Sequence, residues 1–237
     1  VLQAPAFVWV SVFSVSALVF TAAVLLFRAL LLRGALWSAL LGFPAAFVSF
    51  EYVRNLTTPH GTAGSLAYSQ LNFLPFLQLA SITGPWGMSF LLLLFPAALA
   101  IGLHLRGAAP KQALRAAGAG MGVIVLALIF GVVRLALPAP GQSVKVGLIA
   151  SDEPANHGVV AEGAETGRLF RDYAREAAQL AARGAQAIVL PEKLGVVVDP
   201  DTTGDAIFQA LADETKATIV VGVVGVSPPV KYNQARV

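Results

Sequence analysis

Residues 6–27 carry no charged side chain. A run of that length can cross the hydrocarbon core of a bilayer as a helix, which takes about 20 apolar residues. A crossing segment has no water to bond its peptide groups, and a helix satisfies them internally. Three more apolar runs follow. One is Gly34 to Phe50, which contains Pro44. Another is Trp86 to Leu105, with Phe90-Leu91-Leu92-Leu93-Leu94-Phe95 near its start. The last is Ala116 to Val133. The sequence therefore predicts a transmembrane region over residues 1–137, with helices at 6–27, 34–50, 86–105 and 116–133 and a loop at 51–85. Pro44 is expected to kink the second helix. Any one run could be a buried helix of a large water-soluble core, but four of them separated by charged turns argue against that. The first run has no basic flank before it and no small-residue cleavage site after it, so it does not read as a signal peptide. The chain opens on Val1 rather than Met, which leaves open an upstream portion.

Charge divides the chain. Charged residues make up 12% of the whole, about half the roughly 25% usual in soluble domains. Residues 1–143 hold seven basic residues (Arg28, Arg33, Arg54, Arg106, Lys111, Arg115, Arg134) and one acid, Glu51. Residues 144–237 hold nine basic and twelve acidic residues. The net charge of +3 thus comes from the flanks of the apolar runs. No basic cluster with interleaved aromatics is present, which excludes nucleic acid as a partner class. The sequence has no cysteine, so disulfides and thiolate metal sites are excluded. His60, His104 and His157 lie far apart, and no metal-ligand spacing or cofactor motif is found.

The basic residues also predict orientation. Arg28 and Arg33 follow the first run, and Arg106, Lys111 and Arg115 separate the third from the fourth. Positive loops stay cytoplasmic. The 51–85 loop and everything after Arg134 are then expected on the outer side. Glu51 and Arg54, three residues apart, share a face if the second helix continues. They read either as a local ion pair or as the rim of an entrance for a lipid headgroup. Leu71 to Leu79 looks amphipathic and suited to the interface. Trp86, between Gly84 and Gly87, suits an aromatic anchor at headgroup level.

Pro138 to Ser143 reads as a turn-rich hinge. Beyond it the pattern becomes strand (144–149), helix (163–183), strand (187–190), helix (207–215) and strand (218–226). The first of these helices sets Leu169, Phe170, Tyr173, Ala177 and Leu180 in one stripe, and Gly184 stops it. This order predicts an α/β fold with a largely parallel sheet. Functional groups of such sheets collect at the carboxyl ends of strands. Glu192 stands there, directly after Pro191. One reading makes it a general base, partly removed from water beside an apolar strand. The other makes it a surface residue that caps the next helix or pairs with Lys193.

Several segments together resemble the apolipoprotein N-acyltransferase family, membrane-anchored members of the nitrilase (carbon–nitrogen hydrolase) superfamily. In the apolar region they are Phe50-Glu51-Tyr52-Val53-Arg54, Gly64-Ser65-Leu66-Ala67-Tyr68-Ser69-Gln70, Pro75-Phe76-Leu77-Gln78-Leu79-Ala80 and Thr83-Gly84-Pro85-Trp86-Gly87-Met88-Ser89-Phe90. Beyond it they are Val146-Gly147-Leu148-Ile149, Leu190-Pro191-Glu192, the strand before Gly222, and Tyr232-Asn233-Gln234-Ala235. The resemblance implies a multi-pass helical membrane region followed by part of an αββα-sandwich nitrilase-like domain, residues 144–237 being its N-terminal part. It implies a bacterial inner-membrane protein with that domain on the periplasmic side. It further implies a two-step acyl transfer, in which a thiol takes a fatty acyl group from a phospholipid and passes it to the diacylglyceryl-cysteine amine of a lipoprotein. The helices would serve that transfer by holding the site at bilayer height. The superfamily uses a Glu, a Lys and a Cys. Glu192 matches the Glu and would be the base. The Lys and Cys are expected beyond Val237, so these residues alone are expected to be inactive. Glu51, Arg54, Tyr68 and Trp86 would form the substrate entrance.

The sequence departs from the family at two places. Leu190 replaces a Trp before the Pro-Glu pair, and residues 150–156 replace a Gln-Gly-Asn-type segment. Both are expected to touch the rim of the pocket. They leave open a membrane-tethered amidase or nitrilase-like hydrolase, and the missing cysteine leaves open a catalytically dead membrane scaffold.

Overall fold

In the computed structural model, the described residues are 5–58, 60–138, 141–150, 164–198, 203–227 and 229–237. They form two compact units, one within residues 3–139 and one within 140–237.

The first unit is helical. Helix α1 spans Ala6–Leu32 and α2 spans Leu36–Thr57. A 3-10 helix, Leu66–Gln70, and a four-residue helix α3, Leu74–Leu77, follow. Then come α4, Ala80–Leu105, and α5, Pro110–Ala136. Among the described residues four helices, α1, α2, α4 and α5, are long and apolar enough to cross a membrane. Even the 22 residues of α2 rise about 33 Å, against a hydrocarbon core of about 30 Å.

All four helices outrun the hydropathy pattern: α1 continues past Phe27 to Leu32 and α5 begins at Pro110, both taking in basic flanking residues, and the other two have local physical reasons. Helix α2 runs on past Phe50 to Thr57, because the single acid that ends the apolar run, Glu51, is itself buried. Helix α4 begins at Ala80 and breaks at Gly84, whose φ of 61° is non-helical, before Pro85 restarts it. Helix α2 remains continuous through Pro44.

Small residues let these helices approach. A Cβ on Gly120 of α5 would stand 2.9 Å from Ala98 Cβ and 3.3 Å from Leu40 Cδ1. Ala39, Ala97, Ala98 and Ala116 are buried in the same core. Lipid tails give helices no hydrophobic reason to associate, so close contact of small residues carries the packing. Helix α3 does not span. The Pro75 carbonyl lies where a Gly131 side chain would be, and Arg134 Nε donates to Gln78 Oε1 at 3.2 Å. The segment 74–78 is therefore held at the end of α5.

The second unit is an α/β layer. Its elements are β1 (Val146–Leu148), α6 (Ala164–Ala182), β2 (Ala187–Val189), β3 (Val196–Val198), α7 (Thr203–Thr215), β4 (Thr218–Ser227) and β5 (Val230–Arg236). Strands β1, β2 and β4 are parallel neighbours, with Gly147 opposite Ile188 and Ile188 opposite Ile219. Strand β3 is parallel to the second half of β4, and β5 is antiparallel to it. The stripe on α6 packs as expected, with Phe170 and Ala177 buried, and Gly184 ends the helix at φ 87°.

The sheet is covered on one face within this unit. Ile188, Val197, Ile219, Val221 and Val223 pack with Phe170, Phe208 and Leu211 of the helices. Gly147 faces Leu180 of α6, so its neighbours Val146 and Leu148 face the other way, and they are 51% and 74% exposed. Four membrane-length helices followed by this mixed sheet-and-helix layer are consistent with a nitrilase-like fold. Part of the hinge, residues 139 and 140, lies outside the described residues, as do residues 151–156 of the segment that departs from the family pattern.

Candidate active site

Strands β2 and β3 run one after the other along the same side of β4. Leu190 N donates to Val220 O, Leu194 N to Gly222 O, and Val224 N to Gly195 O. Carbonyls two residues apart on a strand point the same way, so one edge of β4 serves both strands. Between them Pro191, Glu192 and Lys193 are thrown out of the ladder as a bulge. Two features permit it. Lys193 adopts φ 55°, a left-handed conformation that side chains other than glycine seldom take. Gly222 leaves room beneath, since a Cβ there would stand 2.6 Å from Pro191 O and 2.7 Å from Glu192 Cα. Gly222 alternates with the helix-facing Val221 and Val223, so the bulge lies over the open face of the sheet.

Glu192 stands on this bulge in water. Its side chain is 68% exposed, which corrects the expectation that the strand partly desolvates it. Asn233 Nδ2, from β5, donates to Glu192 Oε1 at 2.5 Å. Lys193 Nζ lies 3.6 Å from the same oxygen, an exposed pair worth at most about 1 kcal/mol. Glu192 Oε2 has no partner among the described residues. The carboxylate is thus fixed through one oxygen and open through the other. Asn233 belongs to the Tyr232-Asn233-Gln234-Ala235 segment, yet its partnership with Glu192 crosses 41 residues and leaves no local signal. A glycine within a valine-rich strand, Gly222, was the legible sign of a close backbone approach.

Leu190 does not border this site. It is 5% exposed and belongs to the core under α6 and α7. The departure there alters packing on the covered face, not the rim around Glu192. A cavity of about 600 Å³ lies on the covered face. It is lined by Phe170, Phe208, Val221, Val223 and the Arg236–Asp205 ion pair, closed at 2.6 Å. Among the described residues, no three His, Asp or Glu side chains are grouped to hold a metal ion.

In the helical unit, Glu51, Arg54, Tyr68 and Trp86 all touch the segment 52–68. Glu51 is 4% exposed. Its Oε1 accepts from Leu66 N at 2.7 Å and its Oε2 from Ser65 Oγ at 3.3 Å, while Ser65 Oγ lies 3.2 Å from Ser89 Oγ. Arg54 donates from Nη2 to Ala63 O at 2.7 Å and lies over the Phe50 ring at 5.9 Å. The expected Glu51–Arg54 ion pair does not form. Both side chains reach into the same loop, one from inside and one from outside, and the loop's peptide groups outbid the partner. Tyr68 OH bonds Thr62 Oγ1 at 2.5 Å, and Trp86 meets Tyr52 edge-on at 5.5 Å. Ser65 and Ser89 were not marked by the sequence, because a buried serine pair leaves no periodic pattern.

Comparison with known proteins identifies the framework. Residues 1–98 match the family model described as the apolipoprotein N-acyltransferase N-terminal domain. The membrane-spanning region is homologous to the apolipoprotein N-acyltransferase family. A relative named apolipoprotein N-acyltransferase, from Geobacter metallireducens, is 30% identical over 191 residues, covering 78% of this chain and 36% of the relative. That share exceeds what residues 3–139 comprise, so the similarity to this N-acyltransferase extends into the α/β unit. The chain corresponds to little more than a third of the relative's length.

Proposed function

We propose that Glu192 is the general base of an N-acyltransferase that moves a fatty acyl group from a phospholipid to the N-terminal diacylglyceryl-cysteine of a lipoprotein. The observation that supports it best is the half-engaged carboxylate, held by Asn233 through Oε1 and free at Oε2, in a chain related to N-acyltransferases. The nucleophile is a cysteine thiol, which these 237 residues do not supply. Glu192 takes the thiol proton as sulfur attacks the ester carbonyl. The carbon–oxygen bond breaks, and the lysophospholipid leaves with that proton. The lipoprotein amine then attacks the thioester, gives its proton to Glu192, and the thiolate departs and is reprotonated. This is covalent catalysis assisted by one base.

The reaction would take place on the outer side of the inner membrane. Arg28, Arg33, Arg106, Lys111 and Arg115 support that orientation through the bias of basic loops to the cytoplasm. Of the two departures that leave a hydrolase open, Leu190 lies in the core, away from Glu192.

The test is E192Q in the product of the complete gene, read by mass spectrometry of the N-terminus of a model lipoprotein. Loss of general-base assistance should slow transfer by about 10²–10⁴-fold with folding unchanged. Unimpaired transfer would remove Glu192 from the reaction.

A further inference from the structure

We infer that the outer end of the α1–α2 pair is a binding site for one resident phospholipid, seated by its phosphate on Arg54. The inference does not rest on acyl transfer. A groove of about 400 Å³ lies between these helices, lined by Val15, Ser16, Phe50 and Val53 along its length and by Arg54, Thr57 and Thr58 toward the end of α2. Arg54 is one turn from the end of α2, at the depth where a membrane helix meets headgroups. Its guanidinium is held in place by the Ala63 carbonyl and the Phe50 ring, with one Nη2 hydrogen so engaged. A guanidinium carries five N–H donors in a planar fork, so a fork remains for an anion. Gly64 has φ 77°, and a Cβ there would stand 3.2 Å from Arg54 Nη2, so the loop is shaped around the guanidinium.

Among the described residues no carboxylate neutralises Arg54, since Glu51, the sole acid of residues 1–143, is turned into the loop. The Thr57 hydroxyl is committed to the Val53 carbonyl at 2.9 Å. Arg54 is the one charged residue that lines the groove. An unneutralised, preoriented arginine above an apolar trough matches a headgroup phosphate above an acyl chain. Arginine binds phosphate by bidentate, charge-assisted hydrogen bonds. The trough lies in a helix pair suited to spanning a bilayer, which supplies such an occupant at high local concentration.

The experiment places the full chain in phosphatidylcholine nanodiscs containing a trace of phosphatidylglycerol that bears a diazirine on one acyl chain. After illumination, labelled peptides are identified by mass spectrometry. Labelling should concentrate on the peptides bearing Val15 and Val53. R54Q should lower it about tenfold, the scale of one lost charge-assisted contact. V53W, which fills the trough without touching the loop, should lower it similarly and keeps the test valid if R54Q misfolds. A diazirine-bearing diacylglycerol without phosphate should label these peptides weakly, and added inorganic phosphate should not compete. Equal labelling by phosphatidylglycerol and diacylglycerol, or labelling indifferent to V53W, would show annular lipid only and overturn the site.

Discussion

The Asn233 side-chain amide donates to Glu192 Oε1 at 2.5 Å, joining the antiparallel edge strand β5 to the bulge between β2 and β3. Both residues stand on the open side of the sheet, and the contact selects one orientation for a carboxylate that is otherwise in water. On the proposal that Glu192 is the base, Asn233 acts through it as a positioning residue. Its effect should appear in turnover.

Replacing Asn233 with Ala should lower kcat of the complete enzyme about tenfold and leave KM little changed, because substrate binding does not require a preset carboxylate. Asn233 is exposed, so stability should move by no more than about 0.5 kcal/mol. N233D should impair turnover more than N233A, since it sets a second negative charge against Glu192. Steady-state transfer to a lipoprotein peptide, with thermal melting as the control, measures both. A rate for N233A equal to wild type would mean that the contact orients nothing.

Gly222 tests whether the bulge depends on an empty space. A Cβ there would meet Pro191 O at 2.6 Å, Glu192 Cα at 2.7 Å and Lys193 N at 3.1 Å. All three neighbours are backbone and cannot rotate away. G222A should therefore destabilise the α/β unit by about 1–3 kcal/mol and displace Glu192. At Gly122 of α5 a Cβ would meet nothing within 4 Å, so G122A should be neutral or slightly stabilising. Melting midpoints of the two variants should diverge, and only G222A should lose transfer activity.

The spans were legible because hydrocarbon imposes length and apolarity on each helix separately, so each run reads without its neighbours. The α6 stripe and the strand–helix order were legible for a similar reason, since each rests on a local period. What was hidden depends on residues far apart in the chain. Helix α2 continues through Glu51 because donors 14 and 15 residues later, Ser65 and Leu66, receive its carboxylate. Strand β5 carries Lys231, Asn233, Gln234 and Arg236 and has little apolar alternation, yet it pairs along β4 from Val221 to Ser227. Strand β3 is three valines that gain meaning only beside β4. Glu192 was legible by its place after a strand, but its exposure and its partner were fixed by Gly222 and Asn233.

Glu51 and Arg54 should differ sharply when replaced. E51A leaves Leu66 N–H and the Ser65 hydroxyl without their acceptor in a buried place, at a cost of about 2–4 kcal/mol. R54A removes the hydrogen bond to Ala63 O and the contact with the Phe50 ring at a partly exposed position, and should cost about 1–2 kcal/mol. In detergent, E51A should expose residues 60–73 to protease at temperatures where wild type and R54A resist cleavage. Equal resistance of E51A and wild type would show that the loop is held by other contacts.

The open face of the sheet gives the last prediction. Among the described residues of the α/β unit nothing covers Val146 and Leu148, 51% and 74% exposed, and Val220 and Val224 alternate onto the same face. Exposed contiguous apolar surface of this kind drives association, and β1 has no partner on its outer edge within the described residues. Residues 141–237 produced alone should therefore form soluble aggregates and bind a hydrophobic dye strongly. V146K with L148K should reduce both, because neither side chain belongs to the core beneath α6 and α7. A monomeric fragment with a sharp, cooperative melt and no dye binding would mean that this face is closed by the fragment's own residues.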